Sequence, residues 1–198
     1  MFQFIESIKL VDGVFQRLEL HQNRVQRIYA EYFPNSKVID LKELLLNSDF
    51  PQEGTFKCRL VFDDSIKQFE FVGYQIRTIR TLQIVESNAK TYHYKIEDRI
   101  AINDAYALRG DCDDVLLVRN GLLTDTSYAN IALFDGYKWF TPKIPLVYGV
   151  NRAQLLEEGL IHEKQIKLSE LQNYTRIRLF NAMIEFGEIE IGIENCFG

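Results

Sequence analysis

Residues that could bind a ring and a phosphate together lie in the middle of the chain, between Lys95 and Arg152. The carboxylate of Asp125 comes just after a strand of a hairpin that turns at Asn120-Gly121. About two dozen residues later the chain passes through Gly149-Val150-Asn151 into a helix. A carboxylate can hold a protonated ring nitrogen, and the first turn of a helix offers free backbone N–H groups to a phosphate.

A lysine upstream of the hairpin supplies a third reactive group. Lys95 could form a Schiff base, because a neutral amine attacks an aldehyde and a neighbouring cation helps a lysine to lose its proton. Arg99, one helical turn further on, could provide that cation and could also reach a phenolic oxygen. Lys90 competes, but only Lys95 has the K-x-x-x-R pattern. An amine, a carboxylate and a phosphate turn are the groups that a pyridoxal phosphate enzyme needs.

The elements that must position these groups begin with short strands and helices. Two hairpins are predicted in the first half, one on Asp12-Gly13 and one turning at 63–65. Helical spacing of apolar residues predicts a helix over ELHQNRVQRIYAEYF, and KELLLNSDF is a second, shorter one. A strand between residues 76 and 86 ends this half of the chain.

The second half has a different order of elements after the aperiodic segment SNAKTYHYK. A helix is predicted over IEDRIAINDAYALRG, followed by hairpins on Asn120-Gly121 and Asp135-Gly136. A helix over NRAQLLEEGL, a strand near 164–167, a short helix at 169–174 and a strand IRLFNAMIEF complete the chain. The prediction is an α+β protein with a small N-terminal lobe, 1–88, and a larger lobe, 89–198, that carries Lys95.

Composition excludes several classes of protein. The 198 residues have a net charge of −5 and no basic run, which argues against nucleic-acid binding. No apolar stretch is long enough for a membrane span, and the N-terminus does not resemble a signal peptide. The three cysteines lack metal-type spacing, so we expect no metal site and a reducing, cytoplasmic location.

Four motifs in a fixed order give the chain a family resemblance. They are K-x-x-x-R at 95–99, N-G-x-x-T-D-x-S-x-x-N at 120–130, T-P at 141–142 and G-x-x-R at 149–152. In this combination the chain resembles the fold-type-IV, or class IV aminotransferase, pyridoxal phosphate enzymes. The resemblance covers nearly the whole chain and is strongest over 95–152. It implies a two-lobed fold, pyridoxal 5'-phosphate as cofactor and a homodimer with the active site near the interface.

The resemblance also implies roles for individual residues. Lys95 matches the Schiff-base lysine, and Asp125 stands where the family usually has a glutamate against the pyridine nitrogen. An arginine of an early H-x-x-x-x-x-R segment, here residues 21–27, would bind the phosphate. The residues implied for the cofactor are Lys95, Arg99, Asp125, Arg27, Gly149, Val150, Asn151 and Asn181. Those implied for the substrate are Arg59, Tyr92 and Tyr94.

Three functions remain open at this point. The short chain and the segments FIESIKLVDG, LELHQNRVQR and LFNAM resemble the lyase branch of the family, which releases pyruvate and 4-aminobenzoate from 4-amino-4-deoxychorismate for folate synthesis. A small amino-acid aminotransferase, branched-chain or D-specific, is the alternative, with Lys95 moving a proton in either case. A degenerate member kept as a binding or scaffold protein is the third.

Overall fold

The computed structural model describes residues 3–88 and 94–198, which contacts divide into two units. The first unit contains 3–76 and 94–98, and the second contains 77–88 and 99–198. This boundary differs from the predicted one after residue 88. The strand at Leu82–Glu86 pairs within the second unit, whereas Lys95 belongs to a short segment that bonds to the first.

The first unit is a four-stranded antiparallel sheet with two helices, in the strand order β2-β1-β3-β4. Its elements are β1 (Phe4–Val11), β2 (Val14–Phe15), α1 (Leu18–Tyr32), α2 (Leu41–Leu46), β3 (Thr55–Phe62) and β4 (Ile66–Gly73). Asp12 and Gly13 have φ values of 45° and 78°, as expected for a two-residue hairpin turn. Both predicted hairpins and both helices of this unit are confirmed.

The two faces of this sheet differ in chemistry because side chains alternate along each strand. One face is apolar and packs with α1 and α2; its fully buried members include Phe4, Ile8, Cys58, Leu60 and Phe62. Each such side chain contributes about 1.5–3 kcal/mol on burial. The opposite face, here called the polar face, carries Ser7, Lys9, Lys57, Arg59, Gln68 and Glu70 by the strand register.

The second unit is built on a nine-stranded mixed sheet. Its elements are β5 (Leu82–Glu86), α3 (Ile100–Ala107), β6 (Asp114–Arg119), β7 (Leu122–Thr126), β8 (Asn130–Phe134), β9 (Trp139–Pro142), α4 (Val150–Glu157), β10 (His162–Lys164), a 3-10 helix (Leu168–Asn173), β11 (Arg176–Phe180), β12 (Ile189–Gly192), a second 3-10 helix (Ile193–Asn195) and β13 (Cys196–Phe197). The path runs β10-β9-β8-β7-β6-β5-β13, with β11 against β8 and β12. Asp125 and Asn130 are the register pair that joins β7 to β8.

Most of the helices and strands predicted for this unit are confirmed, but one helix and one strand are shorter than predicted. Asn120 and Gly121 have φ values of 52° and 72°, so the predicted hairpin turn is confirmed. The helix predicted from Ile96 begins only at Ile100, and the last long strand ends at Phe180 rather than continuing through 181–186. Within 3–88 and 94–198, no helix has the length and apolar character needed to span a membrane.

Candidate active site

Lys95 lies in an extended segment beside the edge of β1. Its carbonyl accepts a hydrogen bond from the N–H of Ile5 at 2.8 Å, and Glu97 N–H donates to Gln3 O at 2.9 Å. These bonds fix the backbone from Lys95 to Glu97. The half-buried ammonium donates to Ser7 Oγ at 2.8 Å, so its position is set by a side chain of the polar face.

The expected helical turn between Lys95 and Arg99 does not form. Ile96 pairs with Phe4 in an isolated antiparallel bridge, and the helix begins only at Ile100. Arg99 is the N-cap of α3 and donates to Ser127 O at 2.5 Å. Burial lowers the pKa of Arg99, with Asp114 opposing that effect. Lys95 and Arg99 are therefore not neighbours on one helical turn, as their spacing had predicted.

Helix α1 carries two arginines with opposite surroundings. Arg27, the predicted phosphate arginine, is exposed and donates only to Asn23 O among the described residues, at 3.3 Å. Arg24 is buried, and its Nε and Nη2 donate to the two oxygens of Glu6 at 2.6 Å each. Since a bidentate contact to a buried carboxylate fixes a guanidinium firmly, Arg24 is the ordered cation of this helix.

Glu6 and His21 complete a buried charged cluster with Arg24. His21 Nδ1 is hydrogen-bonded to Glu6 Oε2, and burial lowers the pKa of His21. A neutral ring therefore donates from Nδ1, which leaves Nε2 as an acceptor with no hydrogen bond among the described residues. Burial would raise the pKa of Glu6, but Arg24 and His21 outweigh it and lower that pKa to about 2.

Asp125, in the second unit, is a buried carboxylate held by neutral donors. Oδ2 accepts the backbone N–H groups of Leu146 at 2.6 Å and Val147 at 3.1 Å. Oδ1 accepts Asn130 Nδ2 at 2.8 Å and has no second donor among the described residues. Burial raises the pKa of Asp125 to about 7, although these donors oppose the shift. The remaining acceptor position on Oδ1 suits one further N–H donor.

Gly149, at the start of α4, lies against Asn130, whose amide donates to Asp125. A Cβ at this position would overlap Asn130 Oδ1, so only glycine allows this approach. The first backbone bond of the helix runs from Ala153 N–H to Gly149 O at 3.0 Å. The N–H groups of residues 150–152 precede that bond and are the group that an anion would use.

The side chains of Asn151 and Arg152 are committed to structural contacts. Asn151 Nδ2 donates to the carbonyls of Asn181 and Ile184 at 2.9 and 3.0 Å. Arg152 Nη2 donates to Pro142 O at 2.9 Å and to Glu163 at 2.8 Å. Any phosphate contact at this turn would therefore come from backbone N–H groups.

Asn181 lies in a turn just after β11, not within a strand as predicted. Its Oδ1 accepts the N–H groups of Met183 and Ile184 at 2.8 and 3.0 Å. Its Nδ2 donates to Tyr128 O at 3.1 Å. These bonds stabilise the turn after β11, and they use both polar atoms of the Asn181 side chain without a phosphate. Asn151 connects the same turn to α4.

The predicted substrate residues divide between the two faces of the first sheet. Arg59 lies on the polar face, where it donates to Gln68 at 2.5 Å and pairs with Glu97 at 3.2 Å. Tyr94 lies on the apolar face, with its ring against Phe4 and its hydroxyl donating to Glu31 at 2.8 Å. It therefore does not share a face with Lys95. Tyr92, like Lys90, lies outside the described residues.

Three residues of the first unit were missed by sequence reasoning, namely Glu6, Ser7 and Arg24. A signal for two of them was present. Glu6 occupies the apolar phase of the strand between Phe4 and Ile8, which indicates a buried acid that needs a cationic partner. Arg24 lies three residues after His21, on the helix face that also holds Val25 and Ile28.

Comparison with known proteins identifies the family. A family model described as "Amino-transferase class IV" matches residues 74–190, more than half of the chain. The chain belongs to the class IV aminotransferase family. An uncharacterized protein of Haemophilus influenzae is 34% identical over 185 residues, which is 92% of this chain and 98% of that protein. The predicted resemblance and fold class are thereby confirmed.

Solved structures extend the class IV likeness. A protein of Haemophilus somnus 129PT, provisionally named 4-amino-4-deoxychorismate lyase, is 28% identical with a TM-score of 0.84, over 93% of this chain and 98% of that chain. A hypothetical aminotransferase of Mycobacterium tuberculosis in its PLP-bound form has a TM-score of 0.73 at 13% identity, over 93% and 78%. At that identity the second likeness shows the fold alone.

Members of the class IV family use pyridoxal phosphate, and the donor set of this chain fits that group. An ionised Asp125 with an acceptor position left on Oδ1 suits a protonated ring nitrogen. The N–H groups at the start of α4, which precede its first backbone hydrogen bond, suit a phosphate. Lys95 supplies a primary amine whose Nζ is held by Ser7.

Proposed function

We propose that the protein is a pyridoxal phosphate-dependent lyase that releases pyruvate and 4-aminobenzoate from 4-amino-4-deoxychorismate. The observation that carries this proposal is the 28% identity and TM-score of 0.84 to the Haemophilus somnus protein of that provisional name. That likeness extends over nearly the full length of both chains.

Each residue would contribute a defined interaction. When bound, pyridoxal phosphate supplies an electron sink for the substrate carbon. Lys95 would bind its aldehyde carbon and then carry the proton that the leaving enol of pyruvate requires. Asp125 would keep the ring nitrogen protonated. The N–H groups at the start of α4 would bind the phosphate.

A buried arginine is the better candidate for a side chain that balances the phosphate charge. We propose Arg24 in place of Arg27, because Arg24 is buried and is ordered by its two hydrogen bonds to Glu6. Arg27 is exposed, and an exposed cation is screened by water. Arg24→Met should lower the affinity for the cofactor at least tenfold, whereas Arg27→Met should leave it within twofold.

The experiment that tests the proposal supplies purified protein with 4-amino-4-deoxychorismate and, separately, with L- and D-amino acids plus 2-oxoglutarate. Release of 4-aminobenzoate and pyruvate without amino transfer supports the lyase. Clean transamination would overturn it in favour of an amino-acid aminotransferase. Colourless protein that takes up no pyridoxal phosphate would favour a binding or scaffold protein.

A lysine variant links the activity to Lys95. Lys95→Ala should lose the visible absorbance of the bound cofactor and all turnover. Lys37→Ala, which removes an exposed loop lysine, is the matched control and should retain both. Unchanged absorbance in Lys95→Ala would contradict the assignment of this lysine.

A further inference from the structure

His21 has one ring nitrogen that the fold of the first unit does not use. The side chain lies on α1 and is fully buried, and its Nδ1 is hydrogen-bonded to Glu6 Oε2. Its Nε2 is equally buried and has no hydrogen-bond partner within residues 3–88 and 94–198. Buried polar atoms almost always have a partner, so an exception calls for a physical explanation. An asparagine amide could also donate to Glu6, and that bond alone therefore does not explain why a second nitrogen is present.

Arg24 and His21 meet at a single carboxylate oxygen. Arg24 follows His21 by three residues, which places both side chains on one face of α1. Arg24 Nη2 donates to Glu6 Oε2 at 2.6 Å, and Oε2 is also the atom bonded to His21 Nδ1. The guanidinium and the imidazole are therefore separated by one oxygen atom. An anion that binds to Arg24 would act on His21 over a short distance in a buried region, where charges are weakly screened.

The groups around His21 favour a neutral ring in the absence of an anion. Burial lowers the pKa of His21, and the positive charges of Arg24 and Lys95 lower it further, against the opposing effect of Glu6. The negative charge of Glu6 is already bound by the guanidinium of Arg24. Cys58 on β3 adds no charge, because burial and Glu6 raise the pKa of its thiol to about 12. His21 is therefore neutral before an anion binds.

A phosphate beside Arg24 would reverse this preference. A phosphate monoester carries close to two negative charges at neutral pH, whereas Arg24 supplies one positive charge and shares it with Glu6. A nearby opposite charge favours the charged form of a titratable group, so the excess negative charge favours an imidazolium at His21. Because Nδ1 already carries a proton for its bond to Glu6, the added proton resides on Nε2.

We propose that His21 takes up one proton from solvent, at Nε2, when the phosphate group of the cofactor binds beside Arg24. Arg24 and His21 together are then the cations that balance the phosphate, and the affinity for it rises as the pH falls. This inference rests on the proposed function only in that Arg24 balances the phosphate charge. The ligand class is a dianionic phosphate monoester, and no chemical step at Lys95 is involved.

The first test counts the protons that binding consumes. Titration calorimetry of the cofactor-free protein with pyridoxal 5'-phosphate, in buffers of different ionisation enthalpy at pH 7, gives this number. His21→Asn retains a donor for Glu6 but lacks Nε2, so it should take up fewer protons than the unaltered protein, by up to one. With pyridoxal, which lacks the phosphate, the two proteins should take up equal numbers. His162→Asn, at an exposed position of β10, is the matched control and should behave as the unaltered protein.

The pH dependence of the affinity is the second measurement. By the reciprocity of linked binding, a proton taken up with the ligand makes binding tighter at low pH. His21→Asn should therefore bind pyridoxal 5'-phosphate at least fivefold more weakly than the unaltered protein at pH 6, and within twofold of it at pH 8.5. A constant ratio across this range would show that His21 acts only through its bond to Glu6, and would overturn the inference.

A spectroscopic measurement does not depend on the folding of His21→Asn. The chain has three histidines, and the ring nitrogens of His93 and His162 can be assigned by nuclear magnetic resonance after each is replaced by asparagine. The remaining signals belong to His21. At pH 7 they should change from the neutral to the doubly protonated pattern when pyridoxal 5'-phosphate is added. A neutral His21 in the protein saturated with this ligand would overturn the inference.

Failure of the inference can be separated from failure of the proposed function. Lyase turnover with a neutral His21 in the bound protein would refute proton uptake and leave the lyase intact. A protonated His21 in a protein that transaminates would refute the lyase and support proton uptake. Absence of any binding of pyridoxal 5'-phosphate would overturn both.

Discussion

Glu6 and Asp125 are both fully buried carboxylates, yet their surroundings shift their acidity in opposite directions. Glu6 is bound by Arg24 and His21, and its pKa falls to about 2. Asp125 is bound by two backbone N–H groups and an asparagine amide, and its pKa rises to about 7. Burial opposes ionisation at both sites. The formal charge of the arginine, rather than the number of donors, decides which effect is larger.

This difference suits different tasks. Glu6 has its counter-charge within the protein, so it is ionised at every pH of interest and fixes Arg24. Asp125 has no cationic hydrogen-bond partner within residues 3–88 and 94–198, so a cation that reaches Oδ1, such as a protonated ring nitrogen, would stabilise its ionised form. The first carboxylate is a structural ion, and the second becomes ionised most readily when a cation contacts it.

The largest effect is expected from removing the charge of Glu6. Glu6→Gln leaves the guanidinium of Arg24 buried without a counter-charge and should lower the free energy of unfolding by about 3–5 kcal/mol. Urea denaturation at pH 7 measures it. Glu19→Gln, on an exposed position of α1, should stay within about 0.5 kcal/mol. A loss below about 1 kcal/mol for Glu6→Gln would show that Arg24 does not depend on this partner.

The second prediction concerns the pH dependence that Asp125 confers on the cofactor-free protein. The folded-state pKa of about 7 exceeds the unfolded value near 4, so between these pH values the folded state holds the proton and the unfolded state does not. The free energy of unfolding therefore falls by up to about 4 kcal/mol as the pH rises from 4 to 7. Asp125→Asn removes this contribution.

The measurement is urea denaturation of both proteins at pH 5, 6, 7 and 8. Relative to the unaltered protein, Asp125→Asn should gain stability as the pH rises. Asp104→Asn, on an exposed position of α3, should follow the unaltered profile. Parallel profiles for Asp125→Asn would mean that the three donors keep Asp125 ionised throughout. Glu6 has the opposite sign, since its stabilisation is present above about pH 4.3 and is lost as the pH falls towards 2.

The same two carboxylates show how far sequence reasoning reaches. Local signals were sufficient for the hairpin turns at Asn120-Gly121 and for the position of Asp125 at a strand end. Helical periodicity was sufficient to place Arg24, rather than Arg27, on the buried face of α1, because Arg24 follows His21 by three residues. The Asp125 donors come from residues 146 and 147, about twenty positions away, and no local pattern indicates such a contact.

Tertiary contacts also overrode one local preference. The segment around Ile96 has helical spacing, but Ile96 and Tyr94 pack against the core of the first unit, and Ile96 bridges to Phe4. The burial of these side chains outweighs the small propensity differences that favour a helix. The predicted link from Lys95 to Arg99 fails for this reason.

A third prediction tests whether Asn130 transmits the geometry of α4 to Asp125. Gly149→Ala places a Cβ against Asn130 Oδ1, although the backbone φ of −69° suits alanine, and should cost about 1–3 kcal/mol. In an Asn130→Ala background the same change should cost less than about 0.5 kcal/mol, because the overlapping atom is gone. Gly73→Ala, where a Cβ meets nothing within 4 Å, is the control. Additive costs would contradict the coupling.

The smallest change in the free energy of unfolding is expected for a substitution at Glu190. This position has cationic partners but is not fully buried, so it tests the effect of charge without the effect of burial. Like Glu6, Glu190 is bound by arginine: Arg176 lies at 3.0 Å and Arg178 at 2.7 Å, and these arginines lower the pKa of Glu190. Its side chain, however, is 29% exposed. Glu190→Gln should cost no more than about 1 kcal/mol, and most of that cost should disappear in 1 M salt. The cost of Glu6→Gln should change little with salt, because the Glu6 pair is shielded from ions. Equal costs at the two positions would mean that cationic partners alone explain Glu6, and that its burial adds nothing.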